Sequence, residues 1–188
     1  PATSKDTRAI AELALIAGEG IPAYFWAQSQ QPGEEILDVG ARNALSETEN
    51  FSYRHVQLAL QDDKIAGMML SYRLPSADEA EDLNQFPAFI QPLIELEQCV
   101  PDSYYINMLA TYPKFRNQGV GTTLMGRVDR LASQAGCTLS SLEVFDENSG
   151  ALRLYERLGY RPIESRPVIE HPSHPHKGNI VLLVRDVE

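Results

Sequence analysis

The chain of 188 residues contains only two cysteines, Cys99 and Cys137, and no long uninterrupted apolar run. Two cysteines cannot build the disulfide framework of a small secreted protein, so we expect a reducing, cytoplasmic setting. A membrane-spanning helix needs about 20 consecutive, mainly apolar residues, and no segment approaches that length. We therefore expect no membrane partner and a fold held together by packing, since a chain of this size buries roughly 70% of its unfolded surface.

Positive charge is scarce: 16 Lys and Arg residues face 26 Asp and Glu residues, and the net charge is −10. Nucleic acids and anionic membranes are bound by clustered Lys and Arg, so this balance argues against both partners. The deficit is concentrated in residues 74–113, which contain seven acidic residues and no Lys or Arg. A cationic partner suits such a segment better than an anionic one.

Periodicity predicts the order of the secondary structure. Apolar residues at helical spacing indicate helices within 7–46, from the end of a glycine turn at 116–121 to residue 135, and over 148–158. Alternating or wholly apolar runs indicate six strands, over 53–61, 64–73, 104–110, 139–145, 160–168 and 180–187. The first two strands are separated only by Asp62 and Asp63, which predicts a tight hairpin. The order predicts one α/β (α+β) domain over residues 1–188 with a mixed central sheet, and an acidic, irregular insertion at about 75–100.

The most informative segment runs from Leu109 to Leu124, where a strand leads through a glycine turn into a helix. Unpaired backbone amides at a helix start favour an anion such as a phosphate, and Gly119 and Gly121 allow a close approach. A nucleoside-triphosphate loop needs a Lys after the last glycine, and this chain has Thr122 there. A dinucleotide fingerprint needs a third glycine where Leu124 stands, so both alternatives are disfavoured.

Two motifs in this part of the chain resemble those of the GNAT superfamily of acyl-CoA-dependent N-acetyltransferases. Arg116-Asn-Gln-Gly-Val-Gly121 is similar to the family's Arg/Gln-x-x-Gly-x-Gly/Ala signature. Downstream, Leu142-Glu-Val-x-x-x-Asn148-x-x-Ala-x-x-Leu-Tyr155-x-x-x-Gly-Tyr160 is similar to its second motif. The resemblance covers about residues 104–161, and it implies the family's three-layer fold, a mostly antiparallel mixed sheet with helices on both faces.

The resemblance implies acetyl-CoA as the co-substrate and no metal. It implies that an acetyl group passes to a primary amine by direct attack in a ternary complex; the alternative is a non-catalytic acyl-CoA-binding sensor or regulatory module. Pantetheine and pyrophosphate contacts are implied for ten residues. These are Leu109, Thr111, Arg116, Asn117, Gln118, Gly119, Val120, Gly121, Thr122 and Asn148.

Catalytic roles are implied for Tyr155 and expected for Glu97. Tyr155 matches the position of the general acid that protonates the leaving thiolate. Glu97 lies just before the central strand, where it could take the amine's proton, and Glu95 and Glu143 are rival bases. The acceptor is a small amine or a protein amine, and the acidic segment leads us to expect a cationic one. A homodimer is common in the family, although no segment of this sequence identifies an interface.

Two other features of the sequence give weaker indications of function. His171, His174 and His176 lie in a Pro-containing turn, where a substrate-facing loop and a metal site are both conceivable; we expect no metal because neither carboxylate nor Cys completes a ligand set nearby. Cys137 is expected to be a small buried residue rather than a nucleophile.

Overall fold

A computed structural model describes all 188 residues of the chain, as seven α-helices, six β-strands and short 3₁₀ turns. The helices are α1 (Thr7–Gly18), α2 (Ile21–Gln28), α3 (Ile36–Asn43), α4 (Gln91–Glu97), α5 (Val120–Met125), α6 (Val128–Gln134) and α7 (Ser149–Arg157). The strands are β1 (Val56–Gln61), β2 (Lys64–Arg73), β3 (Tyr104–Thr111), β4 (Leu139–Phe145), β5 (Arg161–Pro167) and β6 (Asn179–Asp186). No helix is both long enough and apolar enough to cross a membrane.

The six strands form one sheet in the order β1-β2-β3-β4-β6-β5. The β1–β2, β4–β6 and β5–β6 pairs are antiparallel, whereas β3 and β4 run parallel. The parallel pairing is short and covers only Tyr104, Tyr105 and Ile106 of β3. This arrangement confirms the predicted mixed, mostly antiparallel α/β fold and the predicted order of its elements.

The chain divides into two compact units, of which the first comprises residues 1–71 and 107–126. In this unit α1 packs on α2 and α3, and Gly40 is needed where they meet, because a Cβ there would overlap the Trp26 ring. The predicted hairpin is present. Asp62 and Asp63 both adopt left-handed backbone angles, with φ of 49° and 58°, as the tight turns that match strand twist require.

The second unit comprises residues 72–106 and 127–188. Its core lies on one face of β4 and β6, and α4 packs against β5 and β6. The buried apolar side chains of this core are Leu74, Leu96, Val100, Tyr105, Ile180, Leu182 and Val184. The position of α4 matters for function, because it brings the acidic end of the insertion against a sheet face.

Two boundaries differ from the sequence-based expectation. The single helix predicted between the glycine turn and Ala135 is two helices, α5 and α6, separated at Gly126 and Arg127. Glycine is a poor helix former, and Gly126 and Arg127 stay in the right-handed helical region but with ψ of −5° and −10°, far from the ψ of about −42° of a regular α-helix. The first predicted strand begins later, at Val56, because the Ser52 hydroxyl accepts the Arg54 amide and closes a 3₁₀ turn.

Candidate active site

The glycine turn of the first unit joins β3 to α5. Gly119 is the residue before the helix and has φ of 81°, a conformation that favours glycine. The first ladder bond of α5 runs from the Thr123 amide to the Gly119 carbonyl, at 2.9 Å. The amides of Val120, Gly121 and Thr122 therefore precede the helical ladder and have no backbone acceptor.

Side-chain hydrogen bonds fix the turn from outside the helix. The Gln61 side-chain amide donates to the Gln118 side-chain oxygen at 2.8 Å, and Gln118 itself donates to the Lys114 carbonyl at 3.0 Å. Asn117 also adopts a left-handed conformation, with φ of 59°. Arg116 is exposed at the start of the turn. The turn is thus held in one shape while its amides stay available to a ligand.

The end of β3, which leads into the glycine turn, is also fixed by close contacts. Gly67 on β2 faces Ala110, and a Cβ at Gly67 would overlap the Ala110 carbonyl oxygen and lie 2.9 Å from a Val120 methyl group. The Tyr112 amide donates to the Ala66 carbonyl at 2.9 Å, and the Tyr112 hydroxyl donates to Glu12 at 2.6 Å. Leu109 and Thr111 lie half-buried on this strand.

Asn148 immediately precedes α7, and Tyr155 lies in the last turn of that helix, in the second unit. The Asn148 side chain accepts the Ala151 amide at 3.2 Å and so caps the helix. Tyr155 is the one buried residue of α7. Burial, and secondarily the neighbouring Tyr160, raises the pKa of Tyr155 well above its ordinary value. Its hydroxyl therefore stays protonated throughout the neutral range.

A cluster of ionisable groups lies on the sheet face under α4. Glu97 at the end of α4, Tyr105 on β3 and Glu143 on β4 interact electrostatically, and the Tyr105 hydroxyl donates a hydrogen bond to Glu97. Burial raises the pKa of Glu97 to about 7, against the lowering effect of Tyr105. Burial, with Glu97 next in effect, raises the pKa of Glu143 well above its ordinary value.

The other candidate acids are already engaged. Glu95 forms an ion pair with Arg166 at 2.9 Å, which satisfies it on the surface. Glu79 accepts the Ser76 amide at 3.1 Å, and Asp82 accepts the Asn84 amide at 3.0 Å, so both stabilise their own turns. Glu97 is thus the candidate base that the structure places with Glu143 in a buried setting.

Tyr105 belongs to this cluster, although the sequence pattern identifies it only as part of a strand. The sequence does contain one indication of this cluster, namely Glu143, an acid inside the alternating apolar strand β4. A buried carboxyl needs a polar partner, so Glu143 indicates that a neighbouring element supplies one. The pairing of Tyr105 with Ser141 puts Tyr105 and Glu143 on the same face of the sheet, which no single segment reveals.

The histidine turn between β5 and β6 packs as an aromatic stack. The His171 ring lies on Phe89 with centroids 3.9 Å apart, and the His176 ring lies on Phe145 at 3.8 Å. His176 also hydrogen-bonds Glu147 at 3.2 Å. No group of three or more His, Cys, Asp or Glu side chains in the chain is arranged to hold a metal ion.

Comparison with known proteins identifies the family. The model of the acetyltransferase (GNAT) family matches residues 21–160, which include both the glycine turn and the Asn148–Tyr155 helix. The chain belongs to the GNAT acetyltransferase family.

Solved structures of GNAT-type acetyltransferases share the fold over the full chain. One structure, described as an acetyltransferase, is 18% identical with a TM-score of 0.70, and the match covers 100% of this chain and 97% of the other. A polyamine N-acetyltransferase from Drosophila melanogaster, described as forming N-acetylagmatine, is 19% identical with a TM-score of 0.67, covering 97% and 96%. An agmatine N-acetyltransferase in its apo form is 20% identical with a TM-score of 0.68, covering 98% and 96%. Identities this low establish the common fold alone.

Proposed function

We propose that this GNAT protein transfers an acetyl group from acetyl-CoA to a primary amine, by direct attack in a ternary complex. The observation that carries the proposal is the coexistence of a preformed anion turn and a buried, partly ionised carboxyl in a chain of this family. A non-catalytic acyl-CoA sensor would need the first feature but not the second.

The glycine turn fits the pyrophosphate of acetyl-CoA. Three amides, those of Val120, Gly121 and Thr122, precede the helical ladder, and amides in this position bind phosphate oxygens well. A Cβ added at Gly119 would meet no heavy atom within 4 Å, so the turn is open on that side. Arg116 is exposed and supplies a charge-assisted contact. Bound acetyl-CoA supplies the thioester that makes the acetyl carbon electrophilic.

Glu97 is the proposed general base. A primary amine with a pKa of about 10.4 is almost fully protonated at neutral pH, so it must lose a proton before it can attack. A base works best when its pKa lies near the working pH, and burial raises that of Glu97 to about 7. Glu97 therefore accepts the ammonium proton, and the freed nitrogen forms the new C–N bond as the C–S bond breaks.

Tyr155 is the proposed general acid. Its raised pKa keeps the hydroxyl protonated, so the proton is available when negative charge develops on the leaving sulfur. A thiol has a pKa of about 8.5, so the departing thiolate gains from protonation. The reaction as a whole converts an ammonium group and a thioester into an amide, a thiol and one proton released to solvent.

The proposed acceptor is a small aliphatic amine that is cationic at neutral pH. Residues 74–113 contain no Lys or Arg to repel such a molecule. Two proteins with the same fold are described as acting on polyamines or agmatine, which are also cationic. Both observations support the substrate class, and neither selects a particular amine.

The function is tested by measuring thiol release from acetyl-CoA with a panel of amines and with matched alcohols. We expect release with aliphatic amines and none with alcohols. Gly119→Glu places a carboxylate in the anion turn and should abolish acetyl-CoA binding. Gly33→Glu is the matched control, because Gly33 has nearly the same φ of 82° and equally open surroundings. No thiol release with any amine, or equal acetyl-CoA binding by both variants, would refute the proposal.

A further inference from the structure

We infer that Glu143 and Glu97 together form a binding site for an ammonium group, so that the acceptor enters the protein as a cation. The inference rests on the proposed function and extends it. It adds Glu143 to the site and specifies the charge state of the amine that is bound.

Glu143 lies in a buried, apolar position that is unfavourable for a carboxyl group unless a ligand satisfies it. Its strand neighbours Leu142 and Val144 are buried, and its antiparallel partner on β6 is Leu182, which is 0% exposed. Both carboxylate oxygens of Glu143 are shielded from solvent and accept no hydrogen bond of good geometry, and Tyr105 is the one donor that acts on this carboxyl. An unpaired buried polar group costs free energy comparable to several lost hydrogen bonds when it is charged. Such a group is retained where something else supplies the missing donors.

The surroundings supply no positive charge. The groups that affect Glu97 and Glu143 are Tyr105 on β3, Glu81 and Cys99 beside α4, and the two carboxyls themselves. The Tyr72 ring on β2 packs edge-to-face on Tyr105, with centroids 5.8 Å apart. None of these is a cation.

Two basic residues of the same unit form ion pairs with other acids. Arg166 pairs with Glu95 and Glu164, and Arg73 pairs with Asp102. The cluster therefore has two carboxyls, one tyrosine donor and no counterion of its own. A ligand with one positive charge and several N–H donors complements it, which is the description of a primary ammonium group.

Charge state distinguishes this site from one that binds the neutral amine. In the free protein the cluster retains a proton, because two neighbouring buried carboxyls cannot both ionise cheaply. An entering ammonium group stabilises both carboxylates and displaces that proton to solvent. Glu97, whose ionised form accepts a hydrogen bond from Tyr105, then takes the proton of the bound ammonium group, while Glu143 holds the nitrogen through its remaining hydrogens.

The test measures binding of hexylamine by calorimetry without acetyl-CoA, with hexan-1-ol as an uncharged probe of the same length. At about pH 8 we expect hexylamine to bind and hexan-1-ol to bind at least tenfold more weakly. Glu143→Gln keeps the shape but removes the charge, and it should weaken hexylamine by at least tenfold, as expected for a charged hydrogen bond. Glu95→Gln on the same helix is the control and should change the affinity less than twofold.

The wild-type protein provides a second readout that does not depend on any variant folding. At about pH 8, O-pentylhydroxylamine has the length and the N–H donors of hexylamine but is uncharged, because its amino group is far less basic than an alkylamine with a pKa of about 10.4. An ammonium site predicts that it binds at least tenfold more weakly than hexylamine, whereas a site for the neutral amine predicts that it binds at least as well. Equal or tighter binding of O-pentylhydroxylamine, equal binding of hexan-1-ol, or an unchanged affinity in folded Glu143→Gln would overturn the inference.

The two proposals fail separately. Thiol release with amines but no charge-selective binding would leave the acetyltransferase and remove the ammonium site. Charge-selective binding that Glu143→Gln abolishes, without any acetyl transfer, would leave the site and remove the proposed reaction.

Discussion

Replacing Glu97 by Gln should stabilise the folded protein in alkaline but not in acidic solution. Burial raises the pKa of this carboxyl from 4.5 to about 7, so the folded state holds a proton that the unfolded state has lost. A raised carboxyl pKa means that stability is lost as the pH rises from about 4.5 to about 7. Each pKa unit corresponds to about 1.4 kcal/mol, and the uncharged Gln variant is spared this loss. Relative to wild type, Glu97→Gln should gain about 2.5 kcal/mol in unfolding free energy between about pH 5 and pH 8.5.

The assay is urea denaturation of the wild type and the variant at both pH values. The unfolding free energy of the variant minus that of the wild type is obtained at each pH, and the readout is how much this value changes between the two. Glu34→Gln provides a control of opposite sign. Arg42 and the Gln31 amide lower the pKa of the half-buried Glu34, so that variant should lose rather than gain stability as the pH rises through the acidic range. A Glu97→Gln gain that is the same at both pH values would refute the argument that Glu97 titrates near neutrality.

Three further predictions concern the reaction and the scaffold. Tyr155→Phe should lower kcat by about 100-fold, as for a lost general acid, with acetyl-CoA affinity unchanged; steady-state kinetics and calorimetry check this. Gly67→Ala should destabilise the protein by about 1–3 kcal/mol in denaturant titration, because its Cβ would overlap the Ala110 carbonyl, and unchanged stability would contradict that close approach. Asn148→Ala should cost about 1 kcal/mol through loss of the helix cap, also measured by denaturation, whereas Asn148→Asp should retain most of it.

The sequence was sufficient for the parts of the fold that depend on local chemistry. The hairpin turn at Asp62 and Asp63, the β4 boundaries and the Asn148 cap all follow from residue types at short range, and the structure has each of them. The glycine turn can also be predicted from the sequence, because its shape depends on φ at Gly119 and on the helix that follows.

The parts that were missed depend on contacts between distant segments. The sequence does not predict the helix break at Gly126, because the apolar periodicity continues unbroken from Val120 to Ala135. The grouping of Glu97, Tyr105 and Glu143 arises from three separate elements, and it required the parallel register of β3 on β4 and the packing of α4. Periodicity places a residue on a face but does not say which other face it meets.

The position of the acidic segment illustrates the same limit. Its excess of negative charge is evident from the sequence, yet in the structure its acidic residues have different partners and surroundings. Glu79 and Asp82 stabilise their own turns and Glu95 pairs with Arg166. Only Glu97 combines burial with a pKa near neutrality, so the total charge was a weaker guide than the environment of one residue.

The central claim is direct acetyl transfer to an amine, and mass spectrometry tests it in one experiment. The protein is incubated with acetyl-CoA labelled in the acetyl group and with an aliphatic amine, and both the small molecules and the intact protein are weighed. The account predicts labelled acetyl on the amine nitrogen, free coenzyme A in equal amount, and a protein of unchanged mass. Label that remains on the protein, or an amine that is recovered unmodified while acetyl-CoA binds, would contradict it.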